Sequence, residues 1–209
     1  MSKLGQEILS GWEGRPLEKM QYIHDALKDF LIEDIVVKRI LTKFGPEIFR
    51  RSTIPLCYGD LALQQYMTRK PVKVALEIGT WNGVPSAVMS QFAEKVITID
   101  IEDRPEKYKV WKFLRISDKI EFHLVKNEID KEKLLNDIQF DFCYMDGNHM
   151  SYTYSDWMMV RKCGRVLFHE YWDKQSPVMD LVNSLPANEV EQFELKNSKK
   201  QPFAYWEQS

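Results

Sequence analysis

Two apolar stretches of the sequence end abruptly in residues that could handle protons or cations. The stretch FDFCYMD ends at Asp146, which is followed by a glycine, an asparagine and His149. The stretch GRVLFHEY carries His169 and Glu170 near its end. Imidazole titrates near neutral pH, so either histidine could act as a general base. The alternative is a polar turn without function, because Asp-Gly-Asn is also favourable turn chemistry.

A second group of candidates follows two earlier apolar stretches. VKVALEIG leads into a loop with Gly79 and Gly83, where the backbone could turn tightly and approach a ligand. The Gly-x-x-x-Gly spacing differs from the Gly-x-Gly-x-x-Gly of dinucleotide sites, which counts against NAD or FAD. Asp100 ends the stretch VITID, where an acid can accept hydrogen bonds from both hydroxyls of a ribose; Glu102 is the rival position. Together the glycines and the acid indicate a nucleoside-containing ligand, although each alone could be an ordinary loop residue.

The elements around these candidates alternate between short apolar runs and amphipathic segments. The predicted strands are VKVALEIG, KVITID, IEFHLV, FDFCYMD and GRVLFHEY. The predicted helices between them are PSAVMSQFAE, residues 107–114, DKEKLLND and YSDWMMVRKC. Such alternation favours parallel strands with right-handed crossovers, and hence an open α/β sheet. VEQFEL and FAYWE, joined by a polar turn, predict a terminal hairpin. Ligands of such sheets bind at the carboxyl ends of the strands, where the candidates lie.

The first part of the chain has a different pattern. Residues 1–16 resemble a loosely held polar arm, and apolar residues from Leu17 to Phe44 recur at helical spacing. A second helix is predicted from Asp60 to Thr68. We therefore divide the chain into a helical segment, 1–70, and an α/β domain, 71–209. The helical segment is expected to form a lid or a subunit contact. A subunit contact would make the protein a homo-oligomer.

Composition limits the class of protein. Lys and Arg number 29 against 31 Asp and Glu, for a net charge of −2, which argues against nonspecific binding of nucleic acid. Cys57, Cys143 and Cys163 are an odd count without metal-ligand spacing and are interpreted as reduced thiols. No apolar run approaches membrane-spanning length. We expect a soluble cytoplasmic protein with no membrane partner.

Four motifs in this order, LEIGTWNG, VITID, FDFCYMDGNH and GRVLFHEYW, resemble class I S-adenosylmethionine-dependent methyltransferases. More narrowly, they resemble the small-molecule O-methyltransferase branch that includes macrocin O-methyltransferase-like and cephalosporin-hydroxylase-like proteins. The resemblance covers about residues 72–206. It implies a Rossmann-like α/β fold: a seven-stranded mixed sheet with helices on both faces and an antiparallel C-terminal hairpin. It also implies S-adenosylmethionine as cofactor and a hydroxyl of a small molecule as acceptor.

The resemblance also assigns roles to individual positions. It implies that the methionine part of the cofactor is bound around Glu77, Gly79, Thr80 and Gly83. Asp100 would bind the ribose, and Asn127 is a candidate for the adenine. Asp146 would lie beside the reactive sulfonium and serve both cofactor binding and catalysis. An extra residue before Ser86 departs from the family pattern and could displace that serine.

Methyl transfer to oxygen requires a deprotonated acceptor held near the methyl carbon. Magnesium could lower the pKa of the acceptor hydroxyl and hold it in place, with Asp146 and Glu170 as its carboxylate ligands. The family usually has aspartate at the second of these positions. The other route is metal-free, with His149 or His169 as the general base. Two alternative functions remain open: a nicotinamide-dependent oxidoreductase and a catalytically inactive nucleotide-binding module.

Overall fold

The computed structural model describes Lys43 and residues 62–147, 152–169, 177–192 and 203–209. Its helices are α1 (62–67), α2 (Val84–Met89), α3 (Pro105–Leu114), α4 (Glu128–Asp137), α5 (Thr153–Val160) and α6 (Pro177–Ser184), with a 3-10 turn at Arg161–Cys163. Its strands are β1 (Val72–Ile78), β2 (Ala93–Asp100), β3 (Ile120–Leu124), β4 (Phe142–Met145), β5 (Arg165–His169), β6 (Val190–Gln192) and β7 (Phe203–Glu207).

The seven strands form one mixed sheet in the order β3-β2-β1-β4-β5-β7-β6. Strands β1 to β5 are parallel to one another, whereas β7 runs antiparallel to both β5 and β6. The predicted fold class, including the antiparallel C-terminal pair, is confirmed. The strand order reverses between β1 and β4, so the carboxyl ends of these two strands border the place where open sheets bind ligands.

Both faces of the sheet are buried, which explains why the central strands are apolar throughout. In β4, Phe142 and Tyr144 point into the core on one face, and Cys143 and Met145 into the core on the other. Helices α1, α2 and α3 cover the first face, and α4, α5 and α6 cover the second. The predicted helices on both faces are therefore confirmed.

Helix α1 is anchored on the first face beside the C-terminal strands. The Tyr66 ring stacks on Tyr205 at 4.2 Å between centroids, and Arg69 makes two hydrogen bonds of 2.7 and 2.8 Å to Glu191. These six helical residues therefore cover a sheet face, whereas the sequence predicted a lid or a subunit contact for the segment to which they belong. Except for Lys43, which is helical, residues 1–61 lie outside the described residues, so the lid and the homo-oligomer stay predictions.

Three local predictions need correction. Helix α2 ends at Met89 rather than Glu94, because Gln91 and Phe92 donate to carbonyls three residues back and close a tight turn before β2. Helix α3 begins at Pro105, earlier than predicted. Helix α4 begins at Glu128, since the side chain of Asn127 caps it by accepting the N–H of Asp130 at 2.9 Å.

Helix α6 was not predicted. Val178, Leu181 and Val182 have helical spacing and are buried on the second face, so a signal for this helix was present in the sequence. None of the helices in the described part of the chain is long and apolar enough to span a membrane.

Candidate functional site

A cavity of about 600 Å³ opens at the carboxyl edge of the sheet. Gly79 after β1, Asp100 at the end of β2, Val125 after β3 and Asp146 after β4 all line it. Residues from four consecutive strands of the sequence thus converge at the point where the strand order reverses. This is the position at which open α/β sheets bind nucleotides and related ligands.

Gly79 brings the loop after β1 close to the loop after β4. Its φ is +96°, and a Cβ atom at this position would lie 2.1 Å from the carbonyl oxygen of Asp146. The N–H of Gly79 donates to Ile99 at 2.9 Å, and the N–H of Asp146 donates to Ile78 at 2.9 Å. Position 79 therefore requires glycine both for its backbone conformation and for this close approach.

Gly83 closes the turn and is held from behind by α3. Its φ is +75°, and its N–H donates to Thr80 at 2.8 Å. The indole N–H of Trp111 donates to the carbonyl of Gly83 at 2.9 Å. A Cβ atom here would lie 2.6 Å from the Cβ of Lys107. Gly83 is absent from the described residues that line the cavity, so it shapes the turn from within.

Glu77 lies fully buried beneath the same turn. Its Oε2 atom accepts hydrogen bonds from the hydroxyls of Ser86 and Thr98, the latter at 2.5 Å. Thr80 bonds Thr98 at 2.6 Å and is also fully buried. Burial raises the pKa of Glu77 to about 8, against the lowering effect of the two hydroxyl donors. Glu77, Thr80 and Ser86 thus form a polar network that supports the turn rather than a cavity wall.

Asp100 is placed as the sequence predicted, at the end of β2 and on the cavity wall. Its two carboxylate oxygens accept the backbone N–H groups of Trp81 at 2.8 Å and of Glu102 at 3.0 Å. These bonds fix the orientation of the carboxylate. Each oxygen retains further acceptor capacity for a ligand hydroxyl. Glu102, the rival acid, also lines the cavity.

Sequence reasoning missed Trp81 and Arg104. Trp81 has φ +48°, a conformation that costs a bulky residue about 1–3 kcal/mol and is often found at functional sites. The guanidinium of Arg104 stacks over the Trp81 ring at 3.8 Å and contacts Glu102. All three side chains border the cavity. No sequence motif predicts such a stack, because the stack depends on where α3 begins relative to the glycine turn.

The opposite wall of the cavity is an ion-pair network between α4 and α5. The ammonium of Lys131 lies 2.5 Å from both Glu128 and Asp156 and 5.1 Å from the centroid of the Tyr152 ring. Asn127, the adenine candidate, also borders the cavity while capping α4. Lys131 and Asp156 are buried, so this network is a rigid boundary. The three ion-paired residues come from α4 and α5, and no sequence motif indicates that these helices meet here.

Asp146 lines the cavity, and His169 lies behind it. The Nδ1 atom of His169 contacts Oδ1 of Asp146, and the hydroxyl of Tyr144 donates to Oδ2 at 3.3 Å. His169 is 5% exposed and packs 5.2 Å from the centroid of Phe203. It is not among the described residues that line the cavity. The structure therefore brings Asp146 and His169 together, with Asp146 as the member at the surface.

His149 and Glu170 lie outside the described residues. Of the two predicted magnesium ligands, Asp146 and Glu170, Asp146 is therefore the one that lies among the described residues. Across the described ranges, no group of three or more His, Cys, Asp or Glu side chains could hold a metal ion. The described residues therefore do not complete a magnesium site.

No protein-family model matches the sequence, and no curated protein is similar to it. Solved structures are similar in fold. An O-methyltransferase from Bacillus cereus in complex with SAH matches with TM-score 0.64 at 13% identity, over 86% of this chain and 93% of that one. TomG from Streptomyces achromogenes, an O-methyltransferase involved in tomaymycin synthesis and in complex with SAM, matches with TM-score 0.62 at 16% identity, over 87% and 93%.

A putative caffeoyl-CoA O-methyltransferase from Staphylococcus aureus matches with TM-score 0.61 at 15% identity, over 91% of this chain and 100% of that one. At these identities the likeness shows a shared fold. The chain therefore has the Rossmann-like fold of these O-methyltransferases, as the sequence motifs predicted.

Proposed function

We propose that this protein is an S-adenosylmethionine-dependent methyltransferase that acts on a hydroxyl group of a small molecule. The position of Asp100 carries the proposal. Its carboxylate is oriented by two backbone N–H groups, lies at the end of β2 and faces the cavity beside the glycine turn. This is where an acid binds the two hydroxyls of a ribose.

The charge of the cavity supports a cationic ligand. Its described lining contains five carboxylates (Asp100, Glu102, Glu128, Asp146 and Asp156) and three cations (Arg104, Lys126 and Lys131). An acidic cavity attracts S-adenosylmethionine, whose sulfonium and amino groups are positively charged. The same charge disfavours NAD, because its diphosphate is negative.

The sheet also argues against the nicotinamide alternative. Doubly wound dinucleotide-binding folds have the strand order 3-2-1-4-5-6. Here an antiparallel strand, β7, lies between β5 and β6. The glycine spacing differs from the dinucleotide fingerprint as well. Both departures favour a methyltransferase.

When bound, S-adenosylmethionine supplies a methyl group on a sulfonium for in-line displacement by an oxygen. The residues of this chain bind and orient the cofactor and the acceptor. The glycine turn approaches the amino-acid part of the cofactor and Asp100 holds its ribose. Asp146 faces the acceptor, and its carboxylate can orient the hydroxyl or receive its proton. The O-methyltransferases of similar fold support oxygen as the acceptor atom.

Magnesium assistance remains a separate hypothesis within this proposal. It requires a ligand besides Asp146, for which Glu170 is the candidate. Chelation with EDTA distinguishes the routes: loss of turnover that magnesium restores supports metal assistance, whereas activity in EDTA that disappears in His149→Ala supports a histidine base.

Calorimetric titration tests the function directly. We expect the purified protein to bind S-adenosylhomocysteine and not NAD. Asp100→Asn keeps the size of the side chain but removes its charge, and should weaken binding by about 5- to 150-fold, which corresponds to about 1–3 kcal/mol. Binding of NAD instead would favour the oxidoreductase. Binding of S-adenosylhomocysteine without methyl transfer to any of a panel of hydroxyl acceptors would favour the inactive module.

A further inference from the structure

The stack of Arg104 on Trp81 is the strongest feature of the cavity that the proposed function leaves unexplained. The guanidinium carbon lies 3.8 Å from the centroid of the Trp81 ring. The side chain of Arg104 is 31% exposed and also contacts the carboxylate of Glu102. A guanidinium stacks well on an aromatic face, so the arrangement fixes the position of the indole.

Four residues form a closed ring of contacts on this wall. The backbone N–H groups of Trp81 and Glu102 both donate to the carboxylate of Asp100. The side chain of Arg104 joins Trp81 to Glu102 on the other side. All four residues line the cavity. The Trp81 ring is thus tied to the same acid that is proposed to bind the ribose.

Arg104 itself is held on a fixed support. It is the N-cap residue of α3, and Trp111 of that helix donates to the carbonyl of Gly83 at 2.9 Å. Lys107, one turn earlier, lies directly against Gly83. Helix α3 therefore contacts the glycine turn in the interior of the protein and stacks Arg104 on the turn at the cavity.

We propose that Arg104 is a positioning residue for the cofactor, which holds the Trp81 indole against the adenosyl part of S-adenosylmethionine. The inference rests on the proposed function and extends it to a residue without a role in the fold's motifs. One face of the indole is covered by Arg104, so the ring meets the ligand with its other face or its edge. An indole held in place before binding loses little conformational freedom when the ligand arrives.

A double-mutant cycle tests whether Arg104 acts through Trp81. The affinity for S-adenosylhomocysteine is measured by calorimetry in the wild type, in Trp81→Ala, in Arg104→Ala and in the double variant. We expect Arg104→Ala to weaken binding by about 3- to 30-fold. The double variant should bind no more weakly than Trp81→Ala alone, because Arg104 has nothing left to position.

Two further variants separate stacking from charge. Arg104→Lys keeps the charge but lacks the planar group, and should recover only part of the affinity. Lys109→Ala removes an exposed cation from the same helix, away from the cavity, and should leave the affinity unchanged. Circular dichroism confirms that each variant is folded. Should Trp81→Ala not fold, Trp81→Leu replaces it, since it keeps apolar bulk and removes the aromatic face.

The outcomes are distinct. Unchanged affinity in Arg104→Ala, or losses that add in the double variant, would overturn the positioning role while leaving the proposed function intact. A loss in Lys109→Ala equal to that in Arg104→Ala would reduce the effect to general charge and also overturn it. Failure of the wild type to bind S-adenosylhomocysteine would overturn the proposed function and this inference with it.

Discussion

Asp146 and His169 end neighbouring parallel strands and meet side chain to side chain, with Nδ1 of the imidazole against the carboxylate. Asp146 lines the cavity, whereas His169 is buried behind Asp146. In the proposed reaction, His169 would therefore act on an acceptor through the orientation of Asp146.

This relationship predicts different results for two substitutions of His169. His169→Ala removes the contact and should lower turnover by about a hundredfold through misplacement of Asp146. His169→Asn supplies a side-chain N–H near the position of Nδ1 and should restore much of that loss. Both should bind S-adenosylhomocysteine like the wild type. The measurement is transfer of labelled methyl groups to an active acceptor, with Asp146→Asn as the reference for loss of the carboxylate. Equal damage by Ala and Asn would indicate that His169 transfers the proton itself.

Gly79 and Gly164 provide a matched pair of glycines with positive φ, +96° and +75°. Alanine at either position adopts an unfavourable backbone conformation. At position 79 its Cβ would also lie 2.1 Å from the carbonyl oxygen of Asp146, whereas at position 164 the nearest atom is 4.0 Å away. We expect Gly79→Ala to lower the free energy of unfolding by about 1–3 kcal/mol more than Gly164→Ala. Urea titration measures both, and equal losses would contradict the close approach.

The buried carboxyl group of Glu77 should make the stability of the protein depend on pH. Its pKa is raised by burial to about 8, against an ordinary value of 4.5. Between these two pH values the folded protein holds a proton that the unfolded chain has released. The free energy of unfolding should therefore fall as the pH rises through this window, by at most about 1.4 kcal/mol per pH unit, and level off above it.

Glu77→Gln isolates this contribution, because the amide cannot ionise and its oxygen can still accept from Ser86 and Thr98. Relative to the wild type, the variant should gain stability steadily from about pH 5 to pH 8. Urea titrations at several pH values measure the difference. A difference that does not change with pH would show that the Glu77 carboxylate is ionised at no cost in the folded protein.

The contact between Arg69 and Glu191 predicts how firmly α1 is held. The two side chains are 36% and 47% exposed, so the ion pair itself contributes only about 0.2–1 kcal/mol. Arg69 also lies 4.5 Å above the Tyr66 ring, which adds a second contact. We expect Arg69→Ala to lower the free energy of unfolding by about 1 kcal/mol. Lys95→Ala, in an exposed pair with Glu121, is the control and should have a smaller effect. Equal effects would mean that the stacking contributes nothing.

The fold could be predicted because its central strands are apolar on both faces and each ends in a polar loop. Asp100 and Asp146 were placed correctly at strand ends for the same reason. The walls of the cavity could not be predicted. Arg104 meets Trp81 because the start of α3 lies against the glycine turn, and Lys131 meets Asp156 because α4 and α5 pack side by side. The end of α2 was misplaced because SQFAE has good helical propensity, whereas the short distance to β2 requires a turn.

The approach of Gly79 to Asp146 has a consequence for redesign of the proposed methyltransferase. The loops after β1 and β4 approach each other at the backbone atoms of Gly79 and Asp146. The separation between the glycine turn and the backbone of Asp146 is therefore set by peptide geometry. Exchange of side chains elsewhere on the cavity wall should leave this backbone separation unaltered, whereas exchange of His169 would change the orientation of the Asp146 carboxylate. A library for new acceptors should accordingly keep constant both loops and the residues proposed to bind or position the cofactor.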